Sequence, residues 1–440
     1  MVNNSGNGVL CAQREHETRA ALARGASFAR MLGRGDERAV SAMAVSGASV
    51  AEGLLARTES LVPLLRANAL RTEREGRIAA ENIAALEQAG VFKMTAPHEA
   101  GGYELPVLTQ VEVLAAIARG CGSTSWAAAV YSVGIWMVGN FADELQDEVF
   151  AQEDVRITLV GAPTGRLTRE PGGGYRLDGS WAFNTGCLDG HWAITGAIRD
   201  GGEGGGGEDD AVFAIVPYGQ LQIGEDWDVS GLCGTGSRTI TAAGVSVDDR
   251  QLWPLAEATA SQRRSERHAQ HPYWRTPIGP LICANSAGTP LGLGQGALEL
   301  FLDALLLGKP MTLTTYADRS LAPVTHLQVG EAAVELESAS YHARRCAELV
   351  DQHCRSGEPY TMRERAQIRS DLGRVTGLAQ SAAHRLLEGS GASAIHRHVP
   401  IQRIVRDIDA LAQHAVMHPR TNIELYGRVL CGLEPHSEAL

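Results

Sequence analysis

Apolar residues recur at three- and four-residue spacing between residues 50 and 90: Leu54, Leu55, Leu61, Leu64 and Leu65, then Ile83, Leu86 and Val91. That period predicts two amphipathic helices, with Gly90 placed to end the second. Pro97 and the pair Gly101-Gly102 predict a turn, and residues 108–119 a further helix, bounded by Gly120 and Gly122. Residues 125–140 are almost all apolar, which predicts a helix buried on every side. Near Val155 the pattern changes. Residues 156–161, 175–183, 191–198, 211–217 and 240–247 are short alternating or β-branched runs separated by turn residues, the pattern of a barrel or sandwich. The glycine run at 201–207 reads as a flexible hairpin loop, and 255–275 as a polar linker. The helical period then returns over 284–307, 324–353, 362–389 and 401–418, as in an antiparallel bundle.

These patterns predict an α+β chain of four parts. Residues 1–45 form a flexible tail, 46–153 an N-terminal helical domain, 154–254 a central β-barrel domain and 276–440 a C-terminal four-helix bundle. The chain's 440 residues suffice for such cores, and its 44% hydrophobic content is that of a globular protein. A net charge of -12 with dispersed arginines argues against nucleic acid as a partner. No apolar run is long enough to cross a membrane, and the N-terminus lacks the apolar core of a secretory signal. Eight scattered cysteines without a CxxC pair predict reduced thiols and a cytoplasmic location. His396 and His398 flank Arg397 with no carboxylate or cysteine to complete a ligand set, so no metal is expected. No G-x-G-x-x-G opens a helix after a strand, and no G-x-S-x-G elbow is present.

Three segments do not read as generic core. The first is Gly179-Ser180-Trp181-Ala182-Phe183-Asn184-Thr185-Gly186, followed by Asp189 and Trp192. The second runs Trp227-Asp228-Val229-Ser230-Gly231-Leu232-Cys233-Gly234-Thr235-Gly236-Ser237-Arg238. The third is Val405-Arg406-Asp407-Ile408-Asp409-Ala410-Leu411-Ala412-Gln413-His414. With Pro97-x-x-x-Gly101-Gly102 and the helix–strand–helix order, they resemble the acyl-CoA dehydrogenase superfamily over roughly residues 50–435. The resemblance implies a flavin between the strand-rich part and the bundle, and a homotetramer.

Dehydrogenases of that superfamily abstract an α-proton with a glutamate. In one large subgroup it follows the Arg-Asp pair of the last motif, where this chain has Gln413-His414-Ala415-Val416. A histidine there resembles the oxygenase branch, the group D flavin-dependent monooxygenases. The ending Leu425-Tyr426-Gly427-Arg428 and Gly432-Leu433-Glu434-Pro435 fits the same branch. The implied function is hydroxylation or oxidation of a bulky aromatic, polyketide or amine-bearing metabolite. It would use reduced FMN or FAD from a separate reductase, with O₂ as co-substrate, through a C4a-hydroperoxyflavin. Such chemistry needs a dry site and a hydrogen bond at flavin N5.

By the resemblance, Thr185 would make the N5 bond. His414 would donate to the peroxide or take a proton from the substrate, as suits a group whose pKa lies near working pH. Trp181, Phe183, Asn184, Thr235, Ser237 and Arg238 are candidate flavin contacts. Phenol hydroxylases of the branch tend to carry a histidine on the buried helix, where this chain has Gly134. Its neighbours Trp126, Tyr131 and Trp136 are candidate pocket walls, and a simple phenol is disfavoured. Asp407 is expected to cap or to pair with Arg403 or Arg406. The competing readings are an acyl-CoA dehydrogenase or oxidase with its base elsewhere, and a flavin-free binding relative of the fold.

Overall fold

The computed structural model describes residues 42–200 and 210–437. The expectations for residues 1–41 and for the glycine run at 201–207 lie outside these. The first helix already begins at Ala42, so the segment expected as a tail is helical in its last residues.

The N-terminal part is helical: α1 (Ala42–Glu75), α2 (Ala80–Ala89), α3 (Val107–Gly120), α4 (Gly122–Val138) and α5 (Asp143–Phe150). Gly90 ends α2 in the left-handed conformation expected of it. Every residue of α4 except Val130 is buried, as its unbroken apolar run predicts. Its polar residues are satisfied inside: Ser125 Oγ bonds Leu114 O at 2.8 Å and lies 2.9 Å from Thr289 Oγ1.

The middle is one seven-stranded sheet: β1 (Ile157–Arg169), β2 (Tyr175–Trp181), β3 (Trp192–Arg199), β4 (Ala211–Pro217), β5 (Gln222–Ile223), β6 (Ile240–Val247) and β7 (Leu252–Pro254). Its order is β5-β6-β2-β1-β3-β4-β7, with β1 and β3 parallel and the other pairs antiparallel. β5 and β7 are its edges among the described residues. The register shifts between Val160 and Gly165 on β1, and between Leu177 and Gly179 on β2. Such shifts bend strands. Leu167, Leu177, Trp181, Ala197, Val212 and Ile240 meet in a core of the sheet's own, separate from the larger helical core.

The segment read as a polar linker is instead packed. It holds α6 (Leu255–Thr259), and its Trp274 and His268 are buried against each other, stacked at 4.6 Å. The C-terminal part contains α7 (Ile278–Ser286), α8 (Gly288–Leu305), α9 (Pro323–Ser356), α10 (Met362–Gly389), α11 (Pro400–Leu411) and α12 (Pro419–Leu430). Thr361 and Glu364 form a reciprocal capping box at the start of α10. Proline opens α9, α11 and α12, where its missing N–H costs nothing. The helix expected over 284–307 is broken at Ala287. The one expected over 401–418 stops at Leu411, so His414 sits in the connection to α12 and not on a helix.

Candidate active site

Helix α4 joins the three motif segments. One turn into it, Trp126 meets the His414 ring edge-on, with centroids 5.3 Å apart. Five residues on, about 7.5 Å along the axis at helical rise, Tyr131 Oη donates to Gly186 O at 2.7 Å. Tyr131 is therefore fully enclosed and orients the Phe183–Gly186 turn, which leaves it no face for a pocket. Gly134 has a packing reason: a Cβ there would lie 2.4 Å from Ile157 O, so it is the crossing point of α4 and β1. Trp136 is core as well, stacked on Trp274 at 6.2 Å. Of the four residues expected to wall a pocket, only Trp126 reaches His414. Gly134 is thus a packing position, and its lack of a histidine says nothing against a simple phenol.

On the sheet side, Trp181 is 1% exposed, and its Nε1 donates to Gly196 O at 2.8 Å. An indole inside the sheet core has no open face for a cofactor. Asn184 is wholly buried and accepts from Tyr218 Oη at 2.7 Å. Phe183 differs from both. It is 71% exposed, holds a left-handed backbone with φ 61°, and meets Trp227 edge-on at 5.9 Å. A β-unfavourable backbone that turns a phenyl ring outward is the kind of local strain found at binding sites. Arg238 is half-buried, with Nη1 on Gly224 O at 3.3 Å.

Thr185, Ser237 and Thr235 form a row of hydroxyls. Thr235 Oγ1 donates to Leu232 O at 2.8 Å, Ser237 Oγ lies 2.7 Å from Thr235 Oγ1, and Thr185 Oγ1 lies 2.9 Å from Ser237 Oγ. A hydroxyl has one proton to give. Thr235 commits its proton to the carbonyl, so Ser237 donates to Thr235, and Thr185 to Ser237. The row therefore leaves Thr185 Oγ1 as an acceptor for anything that approaches it.

The third motif holds the second. Arg406 Nη1 donates to Ser230 O at 2.5 Å, and the Asp407 carboxylate accepts from Leu232 N at 2.6 Å. Gly231 lies between them, where a Cβ would sit 2.1 Å from Arg406 O. Asp407 thus pairs with neither arginine expected for it. Arg406 and Arg403 turn to Glu73 instead, at 2.5 and 3.7 Å. Burial pushes the Asp407 carboxyl up to about 6, against the opposing Leu232 N–H bond and the Arg403 and Arg406 charges.

His414 has an accessible surface, yet the surrounding protein is the main cause that pushes its pKa below the ordinary value, with the Arg369 charge second. Its Nδ1 accepts from Val416 N at 3.2 Å. The neutral ring therefore carries its proton on Nε2, a tautomer inferred from that bond.

A second layer was not foreseen. Asn422 donates to Val416 O at 2.8 Å and accepts from Arg369 Nε at 3.1 Å. Arg369 sits 7% exposed on α10, against the Cys283 thiol of α7. The signal was in the sequence: Ala366, Arg369 and Gly373 share the buried stripe of α10, where an arginine is out of place. Among the described residues no group of histidines, cysteines and carboxylates could hold a metal ion.

Two family models match the chain. The acyl-CoA dehydrogenase N-terminal domain covers residues 61–153 and the acyl-CoA dehydrogenase C-terminal domain residues 284–419, together just over half of it. The chain belongs to the acyl-CoA dehydrogenase family. Among its relatives is the flavin-dependent monooxygenase oxygenase subunit HsaA of Rhodococcus jostii, 29% identical over 86% of this chain and 98% of that protein. The oxygenase component of the FADH(2)-dependent resorcinol hydroxylase of a Rhizobium species is 27% identical over 88% and 95%. The solved structure of XiaF from a Streptomyces species, in complex with FADH2 and glycerol, superposes with a TM-score of 0.83 at 26% identity, covering 90% of this chain and all of that one. For a member of the acyl-CoA dehydrogenase family, the carboxylates of the last motif are engaged elsewhere. Asp407 holds Leu232, and Asp409 accepts from Gln380 and lies 2.9 Å from His384 Nε2. Neither serves as a free base beside His414.

Proposed function

We propose that this chain is the oxygenase component of a two-component flavin-dependent monooxygenase. It hydroxylates a bulky aromatic compound with O₂ and reduced FMN or FAD delivered by a separate reductase. The observation that carries this reading is His414. It is a neutral N–H donor, faced by an aromatic ring, beside the place where the resemblance puts a dehydrogenase glutamate. The relatives' printed activities, all flavin-dependent hydroxylations or monooxygenations, support it.

The residues present fit a flavin. Phe183 offers an exposed aromatic ring beside the half-buried Trp227, and the hydroxyl row ends in an acceptor. We assign Phe183, Thr185, Thr235 and Ser237 to holding the ring system, with Arg238 beside them. Bound reduced flavin supplies the two electrons that activate O₂. The chain's own part is to keep protons in place and water out. Thr185 Oγ1, left as an acceptor by the hydroxyl row, would accept from the N–H at N5 of a bound reduced flavin and so help keep that proton in place. His414 Nε2–H would donate to an oxygen of the substrate or to the oxygen being transferred. It acts as a donor and not a base, because Nδ1 is engaged with Val416. The buried length of α4 dries one wall.

We further place the enzyme in the cytoplasm, as its seven described cysteines, all free, suggest. We assign it a homotetramer, consistent with apolar side chains left exposed on α9. The limits 46–153, 154–254 and 276–440 are proposed as divisions of the chain, the first and last sharing one helical core and the middle holding the sheet's own.

The test is rapid mixing of the protein, loaded with chemically reduced FMN or FAD, with O₂ while the flavin spectrum is followed. Reoxidation much slower than that of free reduced flavin, with hydroxylated product when an aromatic substrate is present, is expected. Reoxidation at the free-flavin rate, with acyl-CoA bleaching tightly bound oxidised FAD, would make the chain a dehydrogenase.

A further inference from the structure

Arg369 is a cation in the wrong place for a helix bundle. It is more than nine-tenths buried, and among the described residues no carboxylate pairs with it. Asp371, two residues on, is taken by His342 at 2.7 Å and by Arg345. Asn422 accepts only the Nε proton, at 3.1 Å, and the neighbouring Cys283 thiol is no counter-ion. Burying a charge without a partner is strongly unfavourable, so an isolated guanidinium is maintained where something anionic completes it.

The location says what that is. Arg369 is tied to His414 by a continuous chain of hydrogen bonds: Arg369 Nε to Asn422 Oδ1, Asn422 Nδ2 to Val416 O, and Val416 N to His414 Nδ1. With Nε spent on Asn422, the guanidinium keeps its two terminal amino groups, a fork that matches the two oxygens of a carboxylate. We infer that Arg369 binds a carboxylate of the substrate, so that this site takes an aromatic acid and presents its ring to His414 and Trp126. The inference rests on the oxygenase reading only for the chemistry that follows binding. The anion site itself is read from α10, α12 and the 412–418 connection. The positive charge also serves the orientation of His414, because it opposes protonation at Nδ1, the atom that accepts from Val416 N.

The experiment compares matched acids and amides on the full chain. 4-Hydroxyphenylacetate is set against 4-hydroxyphenylacetamide, and indole-3-acetate against indole-3-acetamide, with binding measured by calorimetry and by quenching of tryptophan fluorescence. In each pair that binds, the acid is expected to bind at least tenfold more tightly than the amide. Arg369→Gln abolishes that preference, and Arg369→Lys retains part of it. FMN affinity stays unchanged in both variants. Equal binding of acid and amide, binding of neither, or a preference that survives Arg369→Gln overturns the proposal. So does a loss of FMN binding in Arg369→Gln with the acid preference intact, since the site would then serve the cofactor phosphate. If Arg369→Gln does not fold, the wild-type ratio together with Arg369→Lys decides. Failure here with slow flavin reoxidation retained removes the carboxylate site and leaves the oxygenase. An acid preference without oxygen chemistry does the reverse.

Discussion

At the scale of the residue, the proposed chemistry turns on which proton His414 holds. Nδ1 accepts from Val416 N, so the working form is neutral with a proton on Nε2. The enclosing protein and then Arg369 hold the ring's pKa below the ordinary histidine value. The neutral ring therefore persists into mildly acidic solution, and because protonation at Nδ1 would break the Val416 N bond that orients it, activity is lost only as the pH falls through this lowered pKa. The fraction of flavin turnover that ends in product should stay level from pH 8 down past the usual histidine range and then drop. Arg369→Gln, measured with an amide substrate, should move that drop to higher pH. His414→Ala should cut product yield about 10²-fold or more, by the usual worth of a positioned proton donor, while an anaerobic titration gives near-wild-type flavin affinity. An unchanged yield would remove His414 from the mechanism. The residue types were legible in the sequence, but their orientations were not. Trp126, Tyr131, Trp136 and Trp181 look alike on a chain. Only tertiary packing shows that one faces His414, one holds a carbonyl and two lie in core. Asp407 was misplaced because adjacent arginines suggested a local pair, whereas burial next to an unpaired Leu232 N–H decided otherwise.

At the scale of the element, periodicity located the helices and strands well, because each buries one face against a neighbour. It failed where burial had another origin. Asn285-Ser286 and Gly288-Thr289-Pro290 flank Ala287, and Gln413-His414 follow Leu411, but the apolar period runs on across both breaks, so the two helix ends were missed. The 255–275 segment looked polar although His268 and Trp274 pack inside. The contact between α11 and residues 230–232 had no local signature at all. Its energetics can be checked at Asp407. This carboxyl titrates near 6 when folded, against an ordinary value of 3.8. A raised carboxyl pKa favours the native state at low pH, and that contribution is lost as the pH rises through 6. Asp407→Asn keeps an oxygen for Leu232 N and removes the charge. Its stability relative to wild type should therefore rise by about 1–3 kcal/mol between pH 4 and pH 8, read from urea unfolding. Asp407→Leu strands the Leu232 N–H and should cost about 1–3 kcal/mol, with weaker flavin binding. A pH-independent difference for Asp407→Asn would show that the carboxylate is not desolvated.

At the scale of the whole molecule, α9 presents Leu327, Val334 and Tyr341 to solvent, each about 60% exposed and seven residues apart. Seven residues are close to two helical turns, so the three side chains form one stripe, the geometry of a helix seam. We expect this stripe to join copies of the chain. Val334→Glu should lower the mass measured by light scattering without changing helical content by circular dichroism, and an unchanged mass would move the contact elsewhere. The hold of Asp407 on Leu232 bears on how the chain is made. The two residues are 175 positions apart. At about 5–20 residues per second of synthesis, roughly 10–35 s separate their emergence. Throughout that interval the sheet can pair its strands, but the turn at 230–232 has no partner. A nascent chain released before residue 407 would therefore carry the hydroxyl-bearing segment on an unanchored turn, and the proposed flavin-facing side of the molecule would take shape only once residue 407 has emerged.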